Sequence, residues 1–68
     1  MKALSFREIQ VISYTAKGLT AKEIARALNL EHRTVEVYVS NIRKKLSAKN
    51  IAHAVYIAIQ KNIINGSV

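Results

Sequence analysis

The stretch Thr34–Leu46 constrains this chain more than any other, because its side chains divide onto two unlike faces. Its apolar residues recur at every third or fourth position, at Val35, Val39, Ile42 and Leu46. That period places them on one side of a helix, while the opposite side carries short polar side chains and ends in a run of cations. Such a helix can bury one side in a small core and lay the other along a nucleic-acid groove. The stretch alone leaves a second interpretation open, a solvated surface helix whose cations serve only solubility.

The core available to this chain is small. The chain has 68 residues and no cysteine, so neither a disulfide nor a thiolate metal site can stabilise it. A chain of this length buries only about 60% of its unfolded surface, so its stability must come from a compact apolar core. Hydrophobic residues make up 50% of the sequence and proline is absent, so regular structure can run with few interruptions. We predict a single all-α domain over residues 1–68.

Two capping boxes mark the starts of helices. Ser5 with Glu8, and Thr20 with Glu23, have the spacing at which a hydroxyl and a carboxylate bind the free N–H groups of a first helical turn. Gly18 suits a left-handed helix end. Together with the apolar periodicity, these signals predict four helices, at about residues 5–17, 21–28, 33–46 and 51–62, and a frayed tail over residues 65–68.

The second and third helices, joined by a tight turn, have the spacing of a helix-turn-helix, although any two helices of a small bundle can share it. Asn50 is a favourable cap for the fourth helix. Glu31 stands where the third helix needs a cap and is a poor residue for that role, but its charge suits the positive end of the helix dipole.

The net charge restricts the class of partner. The 11 Lys and Arg residues outnumber the 4 acidic residues, which gives a net charge of +7. This excess favours a polyanion, either nucleic acid or an anionic membrane surface. No apolar run approaches the roughly 20 residues that span a bilayer, and no signal peptide opens the chain. The fourth helix has only Lys61 on its polar side, so it is a weak candidate for a membrane-surface helix.

The sequence contains no residue pattern typical of a catalytic site. The four glutamates are scattered, and neither a nucleophile–base set nor a phosphate-binding loop is present. His32 and His53 are isolated and are predicted to be surface residues, because a metal site would need further ligands. We therefore expect no enzyme, no cofactor, no metal and no small-molecule ligand in this chain.

The fourth helix carries more apolar residues than one stripe needs. The first stripe is Ile51, Ala54, Val55 and Ala58, and the second, about a quarter-turn round, is Ala52, Tyr56, Ile59 and Ile63. We predict that the first stripe packs on the core and that the second is an interface for another protomer, since so small a monomer has little core to cover both. The alternative is one broad face that packs against helices one and three together.

The order and spacing of these motifs resemble the LuxR/FixJ-type (GerE-like) DNA-binding domain. The matching residues are Leu4, Ser5, Arg7, Glu8, Val11, Ile12, Ala16 and Gly18, then Thr20, Glu23, Ile24, Ala25, Leu28 and Leu30, then Thr34, Val35, Asn41, Ile42, Lys45 and Leu46, then Asn50, Ala54 and Val55. The resemblance covers about residues 4–64. It implies a cytoplasmic, nucleoid-associated bacterial transcription factor, whose third helix enters the DNA major groove and whose fourth helix forms a two-fold homodimer.

Three positions depart from that family's pattern. Tyr38 stands where the family usually has histidine, and Ile51 where arginine is common. Glu36 occupies a base-facing position that is often lysine or another polar residue, which implies an unusual or weakened target preference because an acid faces a polyanion.

Geometry and the resemblance together assign the DNA contacts. The predicted base-contact residues are Glu36, Val37, Ser40 and Lys44, and the predicted phosphate-contact residues are Thr20, Lys22, Arg33, Thr34 and Arg43. Val37 can touch a thymine methyl and Glu36 can accept from a cytosine amino group, while helix N-termini and cations suit phosphates. Val37 can equally be an ordinary exposed valine, and Thr20 a cap alone. Lys45 and Lys49 are assigned to diffuse electrostatics.

Two other functions stay open from the sequence. One is an interaction protein with a helix-turn-helix that heterodimerises with a larger regulator and modulates it, which Glu36 makes worth retaining. The other is a domain that resembles the promoter-reading end of sigma factors and shares the Glu-Ile-Ala and Lys-Leu signals. The apolar helix after Leu46 argues against the sigma-like alternative.

Overall fold

Four helices follow one another in the structure, a computed structural model that describes residues 3–65. They are α1 (Phe6–Ala16), α2 (Ala21–Leu28), α3 (His32–Lys45) and α4 (Ile51–Gln60). No strand occurs among the described residues, so the predicted all-α class and the four predicted helices are confirmed. Most helix boundaries lie one or two residues from the predicted ones, chiefly because the predicted ranges include the capping residues. Residues 66–68, most of the predicted frayed tail, lie outside the described residues.

The helix starts are capped as predicted. Ser5 Oγ accepts from the Glu8 N–H at 3.2 Å, and Glu8 Oε1 accepts from the Ser5 N–H at 2.8 Å. Thr20 and Glu23 repeat this reciprocal pair at 3.2 and 2.8 Å. Asn50 Oδ1 accepts from the N–H of the residue three positions on at 2.8 Å, while α3 has no side-chain cap. Three of the four helices are therefore started by local contacts.

All four helices end in the same way. Each is followed by a residue with positive φ, at Gly18 (96°), Asn29 (56°), Ser47 (53°) and Asn62 (57°). The next N–H then returns to the carbonyl five residues earlier, for example from Leu19 to Tyr14 at 3.1 Å. This is the Schellman arrangement, which satisfies the last helical carbonyls. The residues that carry the returning N–H groups are apolar and pack in or against the core, and they are Leu19, Leu30, Ala48 and Ile63.

The core lies between all four helices, and α3 packs against each of the other three. Its buried residues are Val11, Ile12, Ile24, Ala25, Val35, Ile42, Leu46, Ala48, Ala54, Ala58 and Ile64. The apolar stripe predicted for α3 is confirmed, with Val39 half-buried at its margin. Phe6 is 77% exposed, because the inward face of α1 runs through Val11 and Ile12 and not through the first helical position.

Candidate nucleic-acid interface

The outer face of α3 carries the predicted base-contact residues. Val37 is 53% exposed, Glu36 and Lys44 are exposed, and Ser40 is half-buried. They lie on the helix whose other side is buried at Val35 and Ile42. The helix therefore divides as the sequence predicts, with one side in the core and the other open to solvent.

The predicted phosphate-contact residues lie at the starts of α2 and α3 and near the end of α3. Lys22, Arg33 and Arg43 are exposed, and none of them makes an ion pair among the described residues. Thr20 is exposed and its hydroxyl already accepts from the Glu23 N–H, so its capping role is occupied. Thr34 is half-buried in the first turn of α3. The structure joins no two of these predicted DNA-contact side chains by a hydrogen bond within residues 3–65.

His32, predicted to be an isolated surface residue, lies beside Glu36. His32 Nε2 lies 3.7 Å from Glu36 Oε2, one turn apart on α3, and both side chains are largely exposed. The attraction depends on protonation of the histidine and is worth little at such exposure. The pair nevertheless puts the one acid of the outer face of α3 beside a histidine.

Lys45 does not belong to the diffuse surface charge to which it was assigned. Its Nζ donates to Glu8 Oε1 at 2.8 Å, and Glu8 is only 3% exposed. Burial alone would raise the pKa of the Glu8 carboxyl. Hydrogen bonds from Lys45 and from Ser5, with the charge of Lys45, outweigh the burial and lower that pKa below its usual value. The sequence held a signal for this, since Glu8 precedes Val11 and Ile12 by three and four residues and so shares their inward face.

His53 is also placed differently from the prediction of a surface residue. It is half-buried, and its Nδ1 accepts from the Lys49 backbone N–H at 3.0 Å. It therefore helps to hold the first turn of α4, beside the Asn50 cap. Among the described residues, no group of three His, Cys, Asp or Glu side chains is arranged to hold a metal ion.

The second stripe of α4 is open for most of its length. Tyr56 is 60% exposed and Ile59 is 37% exposed, and Ala52 is exposed as well. Ile63 departs from the prediction, because α4 ends at Gln60 and the chain then turns at a left-handed residue. Ile63 is half-buried and packs against the core cluster, so it does not continue the helical stripe. None of the helices described is long or apolar enough to cross a membrane.

Comparison with known proteins matches residues 2–58 to the family described as bacterial regulatory proteins, luxR family (GerE). The chain belongs to this family. Its helix-turn-helix, α2 and α3, is thus that of a DNA-binding domain of bacterial transcription regulation, and the predicted family and fold are confirmed. The family is one of regulatory domains and is not normally enzymatic.

Named proteins similar to this luxR-family domain are regulators of greater length. It is 42% identical over 62 residues to the transcriptional activator protein BjaR1 of Bradyrhizobium diazoefficiens, covering 91% of this chain and 26% of that protein. It is 42% identical over 59 residues to the transcriptional regulatory protein FixJ of Rhizobium meliloti, covering 87% of this chain and 29% of that one. The chain therefore spans little more than a quarter of the length of these relatives.

A solved structure shares the fold of the domain. The crystal structure of the response regulator ChrA, from a heme-sensing two-component system, superposes with a TM-score of 0.89 at 31% sequence identity. The match covers 94% of this chain and 32% of the ChrA chain. The four-helix arrangement is therefore shared with one part of a larger regulator.

Proposed function

We propose that this luxR-family domain binds double-stranded DNA sequence-specifically as a bacterial transcription regulator, with the outer face of α3 in the major groove. The observation that carries the proposal is the division of α3 into a buried stripe and an exposed outer face. Similarity to the transcriptional activator protein BjaR1 and the transcriptional regulatory protein FixJ supports it. Because its ligand is DNA, the domain acts at the bacterial nucleoid.

The base contacts in this proposal come from four side chains on the outer face of α3. Val37 is exposed enough to meet a thymine methyl group, and Ser40 can pair with several bases. Glu36 has only acceptor atoms, so it selects a base that donates in the major groove, such as the amino group of cytosine. Lys44 continues the same side toward a base or a phosphate.

The phosphate contacts come from the free cations and the helix starts. Lys22, Arg33 and Arg43 are exposed and unpaired within the described residues, so DNA binding breaks no ion pair of theirs. Thr20 and Thr34 lie at the starts of α2 and α3, where backbone N–H groups and the helix dipole favour an anion. These contacts set the orientation of the domain and carry no sequence information.

We further propose a two-fold homodimer through the exposed stripe of α4. Ala52, Tyr56 and Ile59 are exposed on one side of the helix, and an aromatic residue in such a patch favours a protein contact. Ile63 contributes at most its exposed edge. The stripe is short, so the isolated dimer is weak and is strengthened when DNA holds two copies together.

Of the two alternatives, the interaction protein has two observations in its favour. Glu36 places a carboxylate on the face proposed to meet DNA, and the stripe of α4 offers a surface to a different protein as readily as to a second copy. The sigma-like alternative is disfavoured by the match to the luxR family over residues 2–58.

Selection of bound duplexes from a random DNA pool tests the proposal. We expect enrichment of a pseudo-palindrome whose half-sites lie about one helical turn apart. Contacts from Lys22, Arg33, Arg43 and Lys44, all of them exposed, predict that log affinity falls with log salt at a slope of about −3 to −4 per protomer. A pool that shows no enrichment, with a slope near zero, would favour the interaction protein. Enrichment of a single half-site would support DNA recognition and count against the dimer.

A further inference from the structure

A single polar contact joins the start of α1 to the end of α3. Glu8 Oε1 accepts both from Lys45 Nζ and from the Ser5 N–H, each at 2.8 Å. The bond from Lys45 to Glu8 is the only side-chain hydrogen bond that connects two of the helices among the described residues. The other side-chain hydrogen bonds link positions three or four apart. Glu8 is also the one buried charged residue in that part of the chain.

The rest of the contact between α1 and α3 is dominated by apolar side chains of the core cluster, such as Val11, Ile12, Val35 and Ile42. Apolar packing is non-directional, so it tolerates small rotations and shifts of one helix along another. A charge-assisted hydrogen bond has a fixed length and direction. A buried ion pair adds little net stability compared with a well-packed apolar pair, and its main effect can be on the geometry that it specifies.

The ion pair anchors the part of α3 that lies next to two predicted base-contact residues. Lys44 directly precedes Lys45, and Ser40 lies just over one turn before it. Lys45 and Lys44 are neighbours that point to different sides of the helix, one toward Glu8 and the other to solvent. Any shift of the Lys45 end of α3 therefore moves the outer face by a similar amount.

We propose that Glu8 is a positioning residue for DNA recognition, which acts through Lys45 to fix the C-terminal half of α3 against α1 and so aligns Ser40 and Lys44 with the base edges. This inference rests on the proposed function. Glu8 itself is buried and touches no DNA. Lys45 is withdrawn from the pool of cations that attract phosphates, because its ammonium group is already bound.

Specific and non-specific DNA binding should respond differently to loss of the ion pair between Glu8 and Lys45. Hydrogen bonds to base edges hold only within a few tenths of an ångström of their ideal length, so they are lost when α3 shifts. Attraction of phosphates by cations is long-ranged and tolerates the same shift. Removal of the ion pair in a folded protein should therefore lower the ratio of specific to non-specific affinity. Substitution of a residue that merely stabilises the fold would leave this ratio unchanged.

The test is the double variant Glu8→Gln/Lys45→Met in the full chain. The two changes cancel in charge, so the net charge stays at +7. Glutamine at this position still closes the capping box with Ser5, while the contact to α3 is removed. The matched control is Glu23→Gln/Lys61→Met, which makes the same substitutions in the other capping box and at an exposed lysine.

Affinities for the selected DNA site and for a scrambled duplex of equal length are measured at one salt concentration. Circular dichroism first establishes a temperature at which all proteins are folded. We expect the test variant to lose on the order of tenfold in specificity ratio, as displacement of one base contact would cause. The scrambled duplex should bind it with unchanged affinity, and the control variant should keep the wild-type ratio.

An unchanged ratio in the folded test variant would overturn the inference, as would a fall of both affinities in step. If the double variant does not fold, Glu8→Met alone is measured, because it removes the acceptor of Lys45 and leaves no buried charge. Non-specific binding should then strengthen with the added positive charge while the ratio falls. An unchanged ratio in Glu8→Met is equally decisive against the inference. If the wild-type chain does not distinguish the two duplexes at all, the proposed function itself fails.

Discussion

Substitution of Lys45 by methionine should destabilise the domain far more than the loss of a surface lysine would. Methionine keeps much of the apolar stem of Lys45 but leaves the Glu8 carboxylate buried, at 3% exposure, without its cation. Removal of one partner from a fully buried ion pair costs about 3–5 kcal/mol. Lys45 is 27% exposed, and the Ser5 N–H still binds the carboxylate. We therefore expect a loss of about 2–3 kcal/mol near pH 7.

The pH dependence of that loss is the diagnostic part of the prediction. The pKa of Glu8 is lowered in the folded protein because Lys45 and Ser5 outweigh its burial. Its contribution to stability is therefore fully present above the ordinary glutamate value of 4.5 and is lost as pH falls through the lower folded value. Without Lys45, its hydrogen bond and its charge no longer lower the pKa of Glu8, so the carboxyl is protonated at a higher pH than in the wild type. Protonation then removes the uncompensated buried charge of the variant. The difference in free energy of unfolding should shrink to below about 1 kcal/mol near pH 3.

Urea denaturation followed by circular dichroism, at pH 7 and at steps down to pH 3, measures both quantities. The control is Lys49→Met, since the Lys49 side chain is exposed and its one recorded contact is made by its backbone; this change should cost less than about 0.5 kcal/mol at every pH. General acid destabilisation affects all three proteins and cancels in the differences. A loss for Lys45→Met that stays constant from pH 7 to pH 3 would refute the reasoning, because Glu8 would then not be a carboxylate held in its charged form by Lys45.

Four further predictions concern the outer face of α3, the free cations, a turn and α4. Glu36→Lys should strengthen overall DNA binding and change the preferred base at one position; an unchanged selected motif would place Glu36 away from the DNA. Lys22→Ala and Arg33→Ala should each weaken binding to all sequences alike and flatten the salt slope by about one unit, whereas an effect on specific sites alone would contradict the phosphate assignment. Ser47→Gly should stabilise the fold by roughly 0.5–1 kcal/mol in thermal denaturation, because it relieves a left-handed conformation with φ of 53°; a lower melting temperature would argue against strain there. Tyr56→Glu should preserve helicity and single half-site binding but weaken cooperative binding to paired half-sites by on the order of 100-fold, measured against Tyr56→Phe. Unfolding of the variant would assign Tyr56 to the core, and unchanged cooperativity would show that the dimer does not use this surface.

The features that could be predicted from the sequence are those fixed by local spacing. The capping boxes that begin at Ser5 and Thr20 involve residues three apart, and each forms as expected. The stripe of α3 follows from a period that any straight helix imposes. Gly18 marked the left-handed end of α1, because glycine is the residue that adopts positive φ without strain. The equivalent turns at Ser47 and Asn62 carry no glycine and gave no comparable signal.

The features that could not be predicted depend on how helices cross. Lys45 stands in a run of three cations, and only the approach of α1 turns it inward to Glu8, a residue 37 positions earlier. His53 reads as an isolated histidine until the turn before α4 brings the Lys49 N–H to its ring. Ile63 has the spacing of the α4 stripe but follows the end of the helix, so the left-handed turn before it redirects the side chain toward the core.

The placement of charge along α3 joins these separate observations. Arg43 and Lys44 face solvent, while the next residue, Lys45, is neutralised by Glu8. The end of the helix thus divides its cations between two roles, since two can attract DNA and one ties the helix to α1. Glu36, at the other end of α3, lies beside His32 and opposes the attraction of a polyanion. A domain that owed its DNA binding to net charge alone would gain from a free Lys45 and from the loss of Glu36. In the observed arrangement, the attraction of a polyanion is reduced at both ends of α3. The reduction occurs at Lys45, where the orientation of the helix would be set, and at Glu36, where the choice of base would be set.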